Sequence, residues 1–187
     1  MHSDFPVVLD ANVLIQAAVR DTLLRLSEQR LFLCRWSEEI LEEVCRTLVG
    51  KRGLSADKAA RLLEQLRTHF PDACVGPGYK ELIPAMKNDE KDRHVIAAAV
   101  FCKAEVILTY NVRHFPEESV RPFNICVKTP DEYLLDIYSL APQQAVHALH
   151  EQGADLNPPR DIQGVLQGLE RCRCDQFVRL VRDQLNL

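Results

Sequence analysis

Acidic and amide side chains recur along this chain at the places where an open α/β sheet presents its ligand-binding edge. Asp10 and Asn12 follow the apolar run Phe5-Pro6-Val7-Val8-Leu9, and Asn111 follows Glu105-Val106-Ile107-Leu108-Thr109-Tyr110. Asp92 stands at the head of an alanine-rich segment that leads into the second run. In such sheets ligands gather outside the carboxyl ends of parallel strands, where loops leave the sheet and helix N-termini face the crevice. Glu42 and Glu43 flank the apolar stripe of an intervening helical segment, and periodicity does not choose between them. Singly, each residue has an ordinary explanation: aspartates end strands and cap helices, and glutamates on helix flanks are solvated. Together, carboxylates brought to one edge without basic partners repel one another. A fold relieves this by holding a proton or by binding a hard divalent cation through oxygen ligands, and the cation is the simpler solution.

The positioning elements are legible from periodicity. The run 5–9 is short and β-branched, as suits a strand buried on both faces of a parallel sheet. Ile15, Val19, Leu23, Leu24 and Leu26 follow at helical spacing, and 31–34 reads as a second strand. Ser37 is a helix cap ahead of the stripe Ile40, Leu41, Val44, Cys45 and Leu48, and a further helix starts near Ser55. The stretch 71–86 is expected to be mostly loop with a brief strand near 73–75, before a helix over about 93–103 and strands at 105–110 and 123–127. Strands alternating with helices predict an α/β fold in three layers, a short parallel sheet of four or five strands flanked by helices. From Pro130 onward apolar residues recur only at helical spacing. The expected organisation is therefore a unit over 1–128 and a helical C-terminal extension over 129–187.

Composition excludes several classes. The chain has 187 residues, 47% hydrophobic and 27% charged, which supports one core with a small appendage and rules out disorder as the main state. Its net charge of −4 is too mild to advertise membrane or general nucleic-acid binding, so an anionic substrate must be met by a local feature. No apolar run approaches the ~18 residues of a membrane span, and Met1-His2-Ser3-Asp4-Phe5-Pro6 lacks the pattern of a secretory signal. A soluble, cytoplasmic protein is expected. Seven scattered cysteines without a CxxC pair read as buried thiols. His147 and His150 read as a polar helix face. There is neither a Walker loop nor a GxGxxG fingerprint.

Four blocks carry a resemblance: Val7-Val8-Leu9-Asp10-Ala11-Asn12-Val13-Leu14, Ser37-Glu38-Glu39-Ile40-Leu41-Glu42-Glu43-Val44, Asp89-Glu90-Lys91-Asp92-Arg93-His94-Val95-Ile96-Ala97-Ala98-Ala99, and Val106-Ile107-Leu108-Thr109-Tyr110-Asn111-Val112-Arg113-His114-Phe115-Pro116. Together, and in this order, they resemble a PIN domain over about residues 5 to 128. The resemblance implies a small nuclease fold whose acidic cluster holds Mg²⁺ or Mn²⁺ and which cuts RNA to leave a 5′-phosphate and a 3′-hydroxyl. Many bacterial members are VapC-type toxins of type II toxin–antitoxin pairs, so a cognate antitoxin and a homodimer are implied as partners.

Carried over by position, the first acid is Asp10, the second is Glu43 because it directly precedes Val44, and the third is Asp92. The fourth falls on Asn111, a neutral oxygen ligand where many relatives have a carboxylate, and Asp89 is the residue placed to compensate. The expected roles are Asp10, Asp92 and Glu43 as metal ligands, with Glu43 also a candidate water-orienting base. Asn111 is then a polar contact completing the catalytic set. Asn12, Arg93, Arg113 and His114 are candidate substrate contacts, Asn12 either meeting a phosphate or holding Asp10. Two other readings stand beside this one. An inactive PIN-like scaffold for RNA or protein is kept alive by Asn111. A phosphatase or phosphotransferase forming an aspartyl phosphate would need a DxD pattern, but Asp10-Ala11-Asn12 lacks its second carboxylate.

Overall fold

Val7, Val8 and Leu9 are wholly buried, as a strand covered on both faces requires, and they form the centre of the sheet. The computed structural model describes residues 5–187; the residues 1–4 read for a leader lie outside it. In chain order the regular elements are β1 (Pro6–Leu9), α1 (Ala11–Leu14), α2 (Ala17–Glu28), β2 (Leu33–Arg35), α3 (Glu38–Gly50), α4 (Ala56–His69), α5 (Arg93–Phe101), β3 (Val106–Leu108), α6 (Glu117–Val120) and β4 (Cys126–Lys128). Four more helices follow: α7 (Pro130–Leu140), α8 (Pro142–Asp155), α9 (Ile162–Arg171) and α10 (Asp175–Leu185). They make two compact units, one of Phe5–Ile15 with Leu33–Lys128 and one of Gln16–Phe32 with Thr129–Leu187.

The first unit holds a four-stranded parallel sheet in the order β2-β1-β3-β4. Leu9 pairs with Leu108, so β1 and β3 end in step, and the Asp10 N–H donates to the Leu108 carbonyl at 3.0 Å. This register sets Asp10 beside Thr109 at the carboxyl edge of the sheet. Ser37 accepts from the Ile40 N–H at 3.2 Å and starts α3; Ser55 caps α4 in the same way. The turn between those helices needs a left-handed residue, and Gly53 supplies it at φ +68°. The strands are shorter than the apolar runs suggest. The segment 71–86 is built of 3₁₀ turns at Pro71–Ala73 and Pro77–Ala85, with a single bridge between Trp36 and Cys74 in place of the expected strand.

In the second unit, α2 sits with the four C-terminal helices. Thr22 donates to Gln152 Oε1 at 2.6 Å, and Gln152 Nε2 donates to the Ala18 carbonyl at 3.0 Å. Leu31 and Phe32 fall before β2 because the ring of Phe32 packs edge-on against Tyr133, 5.3 Å between centroids. Thr129 and Glu132 form a capping box at the start of α7. Helix α10 has no cap of its own. Buried Asp131, from α7, accepts from the N–H groups of Gln176 at 3.2 Å and Phe177 at 2.9 Å instead. Asp131→Ala leaves both donors unpaired and is expected to cost this unit about 2 kcal/mol, read as a lower midpoint in urea unfolding followed by circular dichroism.

All seven cysteines carry free thiols; Cys34 and Cys174 are buried, whereas Cys126 is exposed. Among the described residues no helix is long and apolar enough to cross a membrane.

Candidate active site

Asp10 ends β1 with a carboxylate buried at 2% exposure. Its Oδ1 accepts from the Ala11 N–H at 2.6 Å, and its Oδ2 accepts from Asn12 Nδ2 and from Thr109 Oγ1, both at 2.6 Å. The Asn12 amide also donates to Thr109 Oγ1 at 2.8 Å and accepts from the Tyr110 N–H at 2.9 Å. Thr109 Oγ1 accepts in turn from the Asn111 N–H at 3.0 Å. The loops after β1 and β3 are thus laced together around one carboxylate. Burial pushes the Asp10 carboxyl up to about 6, the charges of Asp92 and Glu43 adding to it and the bonds from Thr109 and Ala11 pulling the other way.

Nothing in the sequence marks Thr109 beyond a hydroxyl at the end of a buried strand. Thr109→Val keeps its shape and removes its bonds to Asp10, Asn12 and Asn111. A stability loss of roughly 1–3 kcal/mol is expected in chemical denaturation, with the Asp10 carboxyl moving further up in an NMR titration.

Asp92 caps α5 by position but not by hydrogen bond. Its Oδ2 lies 2.6 Å from His114 Nδ1 instead. Asp89 completes a group: one ligand atom each from Asp89, Asp92 and His114 lie within 4.8 Å of one another, close enough to hold a metal ion. His114, read from sequence as a phosphate contact, thus has one ring nitrogen on Asp92.

Glu43 stands half-buried on α3, and its neighbour Glu42 is exposed. Glu43 Oε1 is 3.6 Å from His94 Nε2 and 3.6 Å from Arg46 Nη2, ion-pair distances rather than hydrogen bonds. Burial alone would push the His94 imidazole down, but the negative charge of Glu43, with Glu39 and Asp10 behind it, carries it above its ordinary value. Glu39 accepts from the Tyr79 hydroxyl at 2.8 Å. Beside these groups opens a cavity of about 340 Å³ lined by Glu39, Glu42, Glu43, Arg46, Lys91 and His94. His94 was invisible as a site residue because it sits among the alanines of the apolar stripe of α5.

The remaining expected residues are spread around this edge. Asn12 spends both amide hydrogens on Asp10 and Thr109. Arg93 Nε donates to the Asn88 carbonyl at 3.4 Å. Asn111 and Arg113 are exposed on the loop after β3. Buried Asn88, which the sequence reading did not single out, has neither polar atom of its amide hydrogen-bonded.

The charges of Asp92 and Glu43 both act on Asp10, while Asp10 and Glu43 lie outside the group formed by Asp89, Asp92 and His114. The family model described as "PIN domain" matches residues 6–113, more than half of the chain, and the chain belongs to that family. A second model, "VapC50 C-terminal domain", matches residues 130–183. A curated protein of Mycobacterium tuberculosis (strain ATCC 25618 / H37Rv) named "Putative ribonuclease VapC50" is 41% identical over 95 residues, 49% of this chain. The match spans only about half, 55%, of that relative's length. The solved structure of VapBC-1 from nontypeable Haemophilus influenzae aligns with 67% of this chain and 98% of its own, with a TM-score of 0.48 and 16% identity.

Proposed function

We propose that this chain is a divalent-metal-dependent endoribonuclease and the toxin of a type II toxin–antitoxin pair. The observation that carries the reading is Asp10: a buried carboxylate, held by three hydrogen bonds, whose ionisation is opposed by burial and by two further acids. Carboxylates with this excess of negative charge fit a hard dication. Asp10, Glu43 and Asp92 would hold it, with Asp89 and His114 as the neighbouring donors around Asp92. Mg²⁺ or Mn²⁺ bound there supplies a Lewis acid for the scissile phosphate and lowers the pKa of a water.

The chain's own groups do the rest. Asn12 and Thr109 fix the direction of Asp10, and His114 fixes that of Asp92. Glu43, kept next to His94, is the base that orients the attacking water. Arg93, Arg113 and His114 meet the RNA phosphates on either side of the cut, and Asn111 contacts the substrate where relatives carry an acid. An RNA substrate sets the place of action in the cytoplasm. The helical extension over 129–187, joined by α2, offers the surface for a cognate antitoxin and for a homodimer.

Inducible expression of the chain beside its Asp92→Asn variant, with growth and RNA integrity followed together, tests the reading. Arrest with discrete RNA fragments is expected only for the unaltered chain. Arrest by both, or intact RNA in both, would leave a PIN-fold scaffold as the function, the reading that exposed Asn111 favours.

A further inference from the structure

The helical unit contains a cavity of about 500 Å³ that the nuclease chemistry does not use. Its charged lining is Arg20 and Asp21 from α2, Arg160 from the α8–α9 connection, and Arg171 at the end of α9. Asp21 is already engaged: Arg25 Nε lies 3.0 Å from its carboxylate, and Arg25 Nη2 reaches on to Asp155 at 2.9 Å. Among the described residues neither Arg160 nor Arg171 makes an ion pair, and both side chains are exposed and able to meet a ligand. Arg160 and Arg171 bring two exposed positive charges to the lining, while Arg20 is offset by Asp21 beside it, on a chain whose net charge is −4. Leu24, Leu156 and Val165 supply apolar wall.

The backbone around the cavity is shaped by glycine. A Cβ at Gly164 would lie 2.9 Å from Cβ and 3.0 Å from Cδ of Arg160, so only glycine lets the Arg160 stem lie flat on α9. A Cβ at Gly153 would collide with the Arg160 carbonyl oxygen. Gly168 brings α9 against α2, where a Cβ would stand 3.3 Å from Ala18 Cβ and 4.0 Å from Arg171 Nη2. Three of the chain's seven glycines thus set the walls and the two outer arginines.

We infer that this cavity is a binding site for a terminal phosphate monoester carried on an apolar-bodied group, of the size and chemistry of a nucleoside monophosphate. The volume lies within the ~300–1,000 Å³ of small-molecule sites. A dianionic phosphate matches the lining charge, and arginine forks pair with phosphate oxygens. The apolar wall takes the nucleoside. The site is independent of the nuclease reading.

The test is calorimetric titration of the full chain in EDTA with AMP, with adenosine, and with RNA hexamers bearing a 5′-phosphate or a 5′-hydroxyl. AMP is expected to bind at least about tenfold tighter than adenosine, and Arg160→Ala and Arg171→Ala are each expected to weaken AMP about tenfold. Arg61→Ala, on exposed α4 surface, leaves binding unchanged. If one alanine variant fails to fold, Arg171→Gln reads the same loss. A phosphorylated hexamer matching AMP assigns the source to RNA ends, and AMP binding better than either hexamer assigns it to free nucleotide. Equal affinity for AMP and adenosine, no binding of either, unchanged binding in the arginine variants, or a poly-glutamate peptide outcompeting AMP would each overturn the assignment.

Discussion

Asp10→Asn is expected to lower divalent-dependent RNA cleavage by at least about a thousandfold, because it removes the charge from the buried carboxylate on which Asp92 and Glu43 both act. The substitution is nearly isosteric. Its carbonyl oxygen can still accept from the Ala11 N–H, which Asp10 binds at 2.6 Å. Its amide nitrogen, however, stands where Oδ2 now accepts from both Asn12 and Thr109, so a donor faces a donor at Asn12. Loss of charge and loss of the lacing between the β1 and β3 loops act in the same direction on activity. Circular dichroism separates this from unfolding: the sheet core at Val8, Leu9 and Ile107 is untouched, and the spectrum should be that of the unaltered chain. Glu42→Gln, on the exposed flank of α3, should change activity less than about twofold, whereas Glu43→Gln should lose roughly a hundredfold. More than a tenth of normal activity in Asp10→Asn, with the fold intact, would remove the acidic edge from the mechanism.

The features legible in the sequence were those written in neighbouring residues. Ser37 reads as a cap because it precedes a helical stripe with acids in its first turn, and the structure has that cap and also one at Ser55, near which a helix is expected to start. Asp10 stood out because it breaks a β-branched run. Features set by distant pairing were hidden. Thr22 and Gln152 are 130 positions apart, and their hydrogen bond joins α2 to α8. Leu31 and Phe32 have the composition of a strand, but an edge-on contact with Tyr133 draws them into the helical unit. Within the site, periodicity leaves Glu42 and Glu43 equal; the resemblance favours Glu43, and the structure sets Glu43 half-buried beside His94 with Glu42 exposed. His114 looked like a surface cation because nothing local reveals that its ring lies on Asp92, 22 positions earlier.

The metal-free chain is expected to become less stable as pH rises from 5 to 7.5, and Mg²⁺ is expected to reverse this at the upper end. The Asp10 carboxyl moves from an ordinary 3.8 to about 6 on folding. Between those values the folded chain holds a proton that the unfolded chain has released, so stability falls with rising pH across that window. Ionising the buried group costs the fold on the order of 3 kcal/mol once pH is well above 6. His94 acts in the same direction: its imidazole is raised on folding, so its stabilisation is present at low pH and lost as pH climbs through its folded value. Asp21, raised by burial, adds to the trend in the other unit. Glu38, lowered by its hydrogen bonds from Arg67, works oppositely, but its window lies below 4.5 and outside the range measured. Trp36 is the single tryptophan, wholly buried in the sheet unit, so its fluorescence reports this transition alone. In EDTA the fluorescence midpoint should fall by about 5–10 °C between pH 5 and 7.5. Millimolar Mg²⁺ should recover most of that at pH 7.5 and little at pH 5, where a proton competes for Asp10. Asp10→Asn should flatten both responses. A midpoint that rises with pH in EDTA, or a Mg²⁺ effect equal at both pH values, would show that the acids at this edge do not share a charge burden that a cation relieves.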